Sequence, residues 1–380
     1  MLKIAKNSPH EQRTENFRHK EFKNCLIVST GNSFIRSEKL KVSEASHIQS
    51  KANVTKLGAV LLGKHVACDA YDEARPIRVV THAHADHMVG LGKSLKNCEV
   101  AVMTPATRDL IDALKGPRFL SKGTVKTLDY GEAFTYEDET LTLYYADHIL
   151  GTAQALVEDK EQTRILYTSD FRYSRTPLVE TDILVMEATY GDPIRVRPFS
   201  MMVEGMLVSL VEQGLKRGPV YVFGYHGKLQ NMMRILYEAK IKTPFIVPEQ
   251  IFMVSKVCER HGMKLGKQLL QFDCEEAQSM LTQNEPSVVF YHSYSRKKVE
   301  GEALRIYASG WEFRKPCRKI GKNEYTVALS DHSDFNELLE YVERCNPRMV
   351  ITDRHRSEAA IIFAREIEKR LKIPAKAAPT

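Results

Sequence analysis

The stretch of this chain that says most about its fold is Thr81-His82-Ala83-His84-Ala85-Asp86-His87. Residues 77–81 just before it predict a buried strand. His82 and His84 continue that strand with a period of two, so both imidazoles can point the same way. Asp86 and His87 follow where a helix could begin, and they can turn two further ligands toward the same point. We interpret the stretch as a metal-binding motif at the end of a strand.

The ligand types of this motif indicate which metal it would hold. Imidazole and carboxylate groups suit Zn²⁺ or a similar borderline ion. A tetrahedral site with one open position needs three protein ligands, whereas this motif offers four such groups within six residues. We therefore expect one or two zinc ions per chain, with manganese as a substitute. A solvated histidine-rich loop is the alternative interpretation.

Composition excludes several classes of protein. The chain has 380 residues, of which 43% are hydrophobic and 27% charged, as in a globular protein large enough for two lobes. It has no run of 18 apolar residues, so we expect no membrane span. Because its first residues are hydrophilic, we expect no secretory signal. The seven scattered cysteines form no CxxC pair, which argues for a reducing compartment and predicts a cytoplasmic protein without a disulfide framework.

Changes in sequence pattern divide the chain into four parts. Residues 1–52 are polar and basic and predict a weakly structured extension. Residues 53–196 contain short β-like runs, which favour sheets packed face to face with helices outside. Residues 197–325 alternate helix and strand, which is typical of a small α/β domain with a parallel sheet. Residues 326–380 return to a strand–helix–strand–helix pattern that would complete the first domain.

Five more stretches accompany the histidine motif in a fixed order. They are Cys68-Asp69-Ala70-Tyr71-Asp72, Asp147-His148-Ile149-Leu150-Gly151-Thr152-Ala153, Thr168-Ser169-Asp170-Phe171, Glu187-Ala188-Thr189-Tyr190-Gly191 and Leu329-Ser330-Asp331-His332-Ser333-Asp334. From about residue 59 to 371 the chain thereby resembles the β-CASP nucleases of the metallo-β-lactamase-fold superfamily. These include Artemis-like DNA repair nucleases, ligase-associated exonucleases and the endonuclease subunit of the mRNA cleavage and polyadenylation machinery. The resemblance implies an α/β protein, with a metallo-β-lactamase αββα sandwich and an inserted smaller α/β (β-CASP) domain.

The resemblance also implies a ligand for each position of a two-metal centre. The implied ligands are His82, His84 and His148 for one ion, Asp86 and His87 for the other, and Asp170 as the bridge. Asp69 would hold a ligand imidazole in one tautomer. Taken singly, His148 or Asp170 could equally be an ordinary structural residue, so the assignment depends on the whole set.

A second group of residues is expected to carry the proton transfer. His332 lies at a strand-to-helix turn and could protonate a leaving group. Glu187 ends another apolar run, where its carboxylate could orient that histidine. With Asp86, these are the candidate catalytic residues. The alternative is that the His332 region only caps a helix, through Ser333 or Asp334.

One position departs from the family pattern. After the strand at residues 349–352, the RNA-cleaving members and the ligase-associated exonucleases have a histidine that completes the second metal site, whereas Artemis-like enzymes often have an apolar residue. Here the stretch is Asp353-Arg354-His355-Arg356, with His355 one residue further along. Either His355 is the ligand through a local bulge, which we favour, or Arg354 takes its place and the second metal is weak or absent.

The charge of the chain is unevenly distributed. The net charge of +7 arises from 55 Lys+Arg and 48 Asp+Glu. Residues 197–325 alone have 20 basic and 13 acidic residues, whereas residues 51–196 have 17 and 21. A basic insertion beside an acidic cation site suits a phosphodiester substrate. Candidate contacts with nucleic acid are Lys228, Arg296, Lys297, Lys298 and Trp311, the last by stacking on a base.

The sequence therefore predicts a metal-dependent nuclease that hydrolyses phosphodiester bonds with a metal-activated hydroxide. We favour DNA as the substrate, with exonucleolytic, repair-type processing. An RNA endonuclease or exonuclease of the mRNA 3′-end-processing type is the alternative, followed by a non-catalytic nucleic-acid-binding subunit. A small-molecule hydrolase is disfavoured, because it would have no use for the basic insertion.

Overall fold

The structure is a computed structural model that describes residues 50–380, apart from Lys267, Glu300 and the side chains of Lys297 and Lys298. The predicted extension, residues 1–52, therefore lies almost entirely outside the described residues. Within them, three β-sheets and eight α-helices form, which confirms a mixed α/β protein. No helix in this part of the chain is long and apolar enough to cross a membrane.

The first sheet has six strands from the described part of the chain. They are β1 Ala52–Val54, β2 Val60–Leu62, β3 Val66–Cys68, β4 Ile77–Val79, β5 Val100–Met103 and β6 Val125–Thr127. The first three are antiparallel and β3 to β6 are parallel. Helices α1 Leu91–Asn97 and α2 Pro105–Lys115 lie between β4 and β6 in sequence. The side chain of Thr104 caps α2 by accepting a hydrogen bond from the Thr107 amide.

The second sheet begins with five strands in the order of the chain. They are β7 Ala133–Tyr136, β8 Glu139–Tyr145, β9 Ala153–Asp159, β10 Arg164–Tyr167 and β11 Ile183–Met186. β7 to β10 are antiparallel neighbours, and β11 pairs in parallel with β10. Its strands bury side chains against those of the first sheet in one apolar core, in which Val79 and Val102 meet Leu143 and Val157. The two sheets are therefore packed face to face.

The third sheet is formed by the following part of the chain. Its strands are β12 Val220–Gly224, β13 Phe245–Val247, β14 Leu269–Gln271, β15 Val288–His292, β16 Leu304–Ala308, β17 Cys317–Gly321 and β18 Glu324–Val327, with helices α3 Val203–Leu215, α4 Lys228–Glu238, α5 Glu249–Arg260 and α6 Glu275–Thr282. All pairings are parallel except that of β17 with β18. Because β18 pairs with β16, this sheet continues two residues beyond the predicted boundary at residue 325. α5 packs on α2 of the first part.

The end of the chain returns to the second sheet. β19 Met349–Asp353 pairs in parallel with β11, and β20 Ala375–Ala378 pairs with β19. Helices α7 Phe335–Cys345 and α8 Ala359–Leu371 cover the outer face of this sheet, burying Phe335 and Phe363. β10, β11 and β19 are thus parallel neighbours, and their carboxyl ends lie at one edge of the sheet.

Candidate metal centre

Strand ends bring the predicted ligands together. The histidine motif follows β4, His148 follows β8, and Asp170 follows β10. Because β8 and β10 are both antiparallel to β9, their carboxyl ends share one edge of the second sheet. Ser169 has a positive φ of 57°, a conformation that turns the chain sharply just before Asp170.

Three imidazoles and one carboxylate converge on a single point. One donor atom from each of His82, His84, His148 and Asp170 lies within 4.8 Å of the others. His84 Nδ1 is 3.0 Å from His82 Nε2 and 3.1 Å from His148 Nε2. Asp170 Oδ2 is 3.9 Å from His82 Nε2 and 3.8 Å from His148 Nε2. This buried cluster can hold a metal ion.

The outer nitrogens of the same rings are occupied by hydrogen bonds. His84 Nε2 donates to the carbonyl of His226 at 3.2 Å, and His148 Nδ1 donates to that of Asp331 at 2.8 Å. His82 Nδ1 lies 3.2 Å from the hydroxyls of both Thr81 and Ser169. The inner nitrogens are left as lone-pair donors that face one another, an arrangement that a cation stabilises.

Electrostatics keeps these rings neutral. Burial, with the charge of neighbouring histidines, holds the pKa of His82 and of His148 well below the ordinary value. The pKa of Asp170 is also well below its ordinary range: burial raises it, but the His87 and His332 rings outweigh that effect. Neutral imidazoles and an ionised carboxylate are the forms that bind a divalent ion, so the donor set fits zinc or manganese.

His87 and Asp86 form a second group beside the first. His87 Nδ1 donates to Asp69 at 2.7 Å, and Asp69 is itself held by the amide and hydroxyl of Thr81. His87 Nε2 is buried without a well-aligned partner, 3.2 Å from Asp170 Oδ2 and 3.4 Å from Asp86 Oδ2. Burial lowers the pKa of His87, but the carboxylates of Asp170 and Asp69 raise it to about 10. Between these two carboxylates the ring therefore needs either a proton or a cation.

The partly buried His332 and the buried Glu187 form a pair beside the ligand cluster. His332 Nδ1 lies 3.0 Å from both carboxylate oxygens of Glu187, which also accepts a bond from the Phe171 amide. The His332 ring centroid is 4.9 Å from that of His148. Burial lowers the pKa of His332, but Glu187 and Asp170 raise it to about 9. The ring is therefore a protonated acid at neutral pH.

The structure does not bring His355 to the cluster. Its side chain is exposed and lies against Gly58, while Arg354 is paired with Glu358 at 3.3 Å. Neither side chain is among the groups that form the ligand cluster. Arg356 is turned inward, with its side chain only 12% exposed and Nη1 2.5 Å from Asp353 Oδ2. We accordingly omit His355 from the proposed ligands.

The predicted nucleic-acid contacts have different surroundings in the structure. Lys228 begins α4 and forms an ion pair of 3.1 Å with Asp331, next to His332. Trp311 is 61% exposed, and its ring contacts Tyr190. Arg296 packs over Tyr307 within the third sheet. The side chains of Lys297 and Lys298 lie outside the described residues.

A cavity of about 390 Å³ opens beside His148, between the second sheet and α4. Three arginines line it, namely Arg172, Arg175 and Arg234. Arg172 is paired with Asp147 at 2.9 Å. Asp129 and Asp147 line the same cavity, and Arg234 is paired with Glu238 at 2.7 Å. Basic and acidic side chains therefore lie together in the lining next to His148.

Sequence reasoning missed the residues that orient the ligands. Thr81, Ser169 and the carbonyls of His226 and Asp331 were not assigned this role. Ser169 and Asp331 lie within quoted motifs, so their position beside a ligand was an available signal. No sequence signal pointed to the His226 carbonyl, because every residue type has a backbone carbonyl and this one comes from a distant segment of the chain.

Comparisons with known proteins bear on the family of the chain. No family model matches the chain. A protein of Acidianus ambivalens named "Uncharacterized protein in lig 3'region" is 37% identical over 138 residues, which are 36% of this chain and 99% of that protein. A probable DNA ligase of Opitutus terrae is 27% identical over 72% of this chain. The 5' exonuclease Apollo of Mus musculus is 24% identical over 78%.

The chain covers only part of the length of two of these relatives. The chain spans 26% of the Opitutus ligase and 54% of Apollo. A crystal structure of a protein of unknown function from Enterococcus faecalis V583 has the same fold, with a TM-score of 0.54 at 13% identity over 82% of this chain and 81% of that one.

The fold, the six motifs and these relatives define the class of protein. The chain belongs to the β-CASP family of metallo-β-lactamase-fold proteins. This confirms the family prediction made from the motifs.

Proposed function

We propose that this protein is a metal-dependent nuclease that hydrolyses phosphodiester bonds of nucleic acid. The observation that carries the proposal is the convergence of His82, His84, His148 and Asp170 on one point, beside the His332–Glu187 pair. A bound divalent ion, zinc or in its place manganese, supplies activation of water and positive charge for the phosphate. The side chains hold and orient that ion and supply the proton for the leaving group.

The side chains have distinct roles in this proposal. The carbonyls of His226 and Asp331 keep the rings of His84 and His148 in the tautomer that presents a lone pair. Glu187 holds His332 Nδ1, so that Nε2 can donate a proton to the leaving sugar oxygen. Asp69 orients His87 in the same manner.

The proposal includes the finer architecture. We assign the first two sheets and their helices to a metallo-β-lactamase αββα sandwich, formed by residues 53–196 and completed by residues 326–380. The third sheet is then the β-CASP insertion. Support comes from the shared core of the two sheets and from the return of the chain to the second sheet through β19.

DNA is the favoured substrate, with exonucleolytic cleavage. Support comes from the names of the relatives: one is named for its position near lig, another is a probable DNA ligase, and a third is a 5′ exonuclease. Exposed aromatic and basic groups of the insertion, including Trp311 and Lys228, would hold the strand. These contacts carry little sequence information, which suits a processing enzyme.

A nuclease assay tests the proposal. End-labelled single-stranded DNA and RNA are incubated with the protein and Zn²⁺ or Mn²⁺. We expect shortening of the DNA, and a loss of at least about 100-fold in kcat/KM for Asp86→Ala, because even residues that only orient a metal ligand contribute 10- to 100-fold. Asp273→Ala, an exposed carboxylate of the insertion, is the matched control and should retain activity. Faster cleavage of RNA would reverse the substrate preference, and no cleavage of either would refute the enzyme.

A further inference from the structure

Trp311 lies close to His332, although it belongs to the turn between β16 and β17 of the third sheet. It is the only tryptophan of the 380 residues, and it is 61% exposed. The buried Tyr190 ring contacts both side chains: its centroid is 5.1 Å from that of Trp311 and 5.8 Å from that of His332. An exposed aromatic ring is therefore separated by a single ring from the proposed proton donor.

Close contacts fix the turn that carries Trp311. The preceding Gly310 packs so tightly on Tyr190 that an added Cβ atom would lie 2.3 Å from the tyrosine hydroxyl. Arg197 Nη2 donates to the carbonyl of Gly310 at 2.5 Å, and the Arg197 amide donates to Asp334 Oδ2 at 2.8 Å. Asp334 lies two residues beyond the catalytic histidine, so one arginine connects the turn to the segment of the proton donor.

A guanidinium group packs against the same ring. The guanidinium carbon of Arg195 is 5.6 Å from the ring centroid of Trp311 and 5.2 Å from that of Phe313. Among the described residues, no carboxylate forms an ion pair with Arg195. Its charge is therefore available to a phosphate, next to a ring on which a base can stack. Aromatic rings combined with positive charge are typical of sites that bind single-stranded nucleic acid.

The position of Trp311 relative to His332 indicates which nucleotide it would hold. In the proposed reaction His332 protonates the sugar oxygen that leaves, so the nucleoside with that oxygen lies on the side of the phosphate that faces His332. Tyr190 connects Trp311 to this side. A base inside a duplex is stacked between its neighbours, so it can meet Trp311 only when it is unpaired and turned out of the stack.

We propose that Trp311 and Arg195 bind the nucleotide on the leaving-group side of the scissile bond, Trp311 by stacking on its base and Arg195 by contact with its phosphate. This inference rests on the proposed nuclease function and names its substrate class, a strand in which that nucleotide is unpaired. Trp311 is thus a specificity-determining residue. Because contacts within the protein already fix its turn, little ordering is needed when the base binds.

Tryptophan fluorescence tests the contact without cleavage. Because the chain has one tryptophan, quenching in the Asp86→Ala background reports a base stacked on Trp311. We expect quenching by a single-stranded oligodeoxynucleotide, but not by the same backbone without bases or by relaxed circular duplex DNA. Measured by anisotropy of a labelled strand, Trp311→Ala should weaken binding about 5- to 150-fold, the range for one stacked base. Trp311→Phe keeps a ring and should bind normally, as should Leu57→Ala, which changes another exposed apolar residue.

A strand with one abasic nucleotide tests the position. For the wild type we expect the bond whose leaving nucleotide lacks its base to be cleaved about 5- to 150-fold more slowly, in kcat/KM, than the same bond of the intact strand. Trp311→Ala should cleave that bond at equal rates in the two strands, whereas Leu57→Ala should retain the full difference. An abasic nucleotide on the other side of the bond should affect the wild type and Trp311→Ala equally, because it removes no contact with Trp311.

The outcomes separate this inference from the proposed function. Cleavage of nucleic acid with no quenching of Trp311 would overturn the inference and leave the nuclease proposal intact. An abasic penalty that persists in Trp311→Ala would also overturn it, because the base would then be bound elsewhere. If that variant does not fold, as judged by circular dichroism, quenching in the Asp86→Ala background still decides the matter. No cleavage of DNA or RNA by the wild type would contradict the proposed function itself, and the inference with it.

Discussion

His332 shows how one residue acquires its chemistry from its neighbours. An ordinary histidine is largely neutral at pH 7.5, and burial would make it more so. Two carboxylates reverse this, because Glu187 contacts the ring at 3.0 Å and Asp170 lies close by. A proton donor is thus created by a partner 145 residues away in the sequence.

The pH dependence of activity follows from this pair. His332 must be protonated to act as the acid, so activity should fall as the pH rises through its pKa of about 9. A cation on Asp170 lowers that pKa, and we therefore expect the alkaline limb at or below pH 9. Glu187→Gln removes the largest raising influence and should move the limb to lower pH, in a profile of kcat against pH. In Glu204→Gln, an exposed carboxylate on α3, the limb should not move. An unmoved limb in Glu187→Gln would exclude His332 as the titrating acid.

Residue types in the motifs predicted which four side chains come together in the candidate cluster, but they did not predict side-chain direction. His82, His84, His148 and Asp170 could be found because strand ends and family order constrain them. The sequence could not predict which side chain after β19 faces inward, because a shift of one residue in the turn changes it. That direction depends on packing: Gly58 gives the His355 ring a place outside, and Asp353 draws Arg356 inside.

At the scale of elements, an aromatic cluster lies at the ends of two neighbouring strands. β12 and β15 are parallel; Tyr225 follows β12, His292 ends β15, and Tyr294 lies two residues beyond His292. Tyr225 contacts both, with ring centroids 5.1 and 5.9 Å apart. Tyr225 is 46% exposed and Tyr294 is 84% exposed. Because the carbonyl of the adjacent His226 bonds His84, these rings lie next to the ligand cluster.

These aromatic rings should stack on unpaired bases of the substrate. Each stacked base contributes about 1–3 kcal/mol, so Tyr225→Ala and Tyr294→Ala should each weaken the binding of a single-stranded oligonucleotide about 5- to 150-fold. Fluorescence anisotropy in the Asp86→Ala background measures this without cleavage. The corresponding Phe variants keep the ring and should bind normally. Met253→Ala, an exposed apolar residue of α5, should also leave affinity unchanged. Equal losses in the Phe variants would contradict stacking.

The elements that the sequence predicted are those with strong apolar runs. The patterns of residues 304–308 and 335–345 predict a strand and a helix, and β16 and α7 have these limits. Apolar runs at residues 141–146, 153–157, 165–168 and 183–187 predict strands, and β8 to β11 begin and end within two residues of these limits. β6, β7 and β14 were missed because their residues are only partly buried, so no continuous apolar pattern marks them. α2 was also missed, although Thr104 followed by Pro105 is a helix-start signal that could have identified it.

At the scale of the whole molecule, the ion would connect the first and second sheets. His82 and His84 come from the first sheet's side, and His148 and Asp170 come from the second. Their inner nitrogens face one another as lone-pair donors, an arrangement that a cation would stabilise. Binding an ion therefore stabilises the packed sheets as well as the site.

Metal removal should lower the thermal stability of the whole protein. A ligand present at 100 times its Kd adds about 2.7 kcal/mol to the free energy of unfolding, so a strong chelator should lower Tm by a few degrees in differential scanning fluorimetry. His148→Ala should lose most of this difference between chelator and zinc. His261→Ala changes a histidine of the insertion that pairs with Asp109 at 2.9 Å and is not in the ligand cluster, so this variant should retain the difference. Equal Tm values for the wild type with and without zinc would contradict the site.

The bond between His84 and the carbonyl of His226 has a consequence for motion. His226 belongs to the third sheet's first strand–helix loop, and the next residue but one, Lys228, pairs with Asp331 on the other side of the site. Swinging the third sheet away would remove the hydrogen-bond acceptor that fixes His84. Opening of the cleft and affinity for the ion are then reciprocally coupled. The factor by which the closed arrangement binds the ion more tightly than the open arrangement equals the factor by which the bound ion favours the closed arrangement.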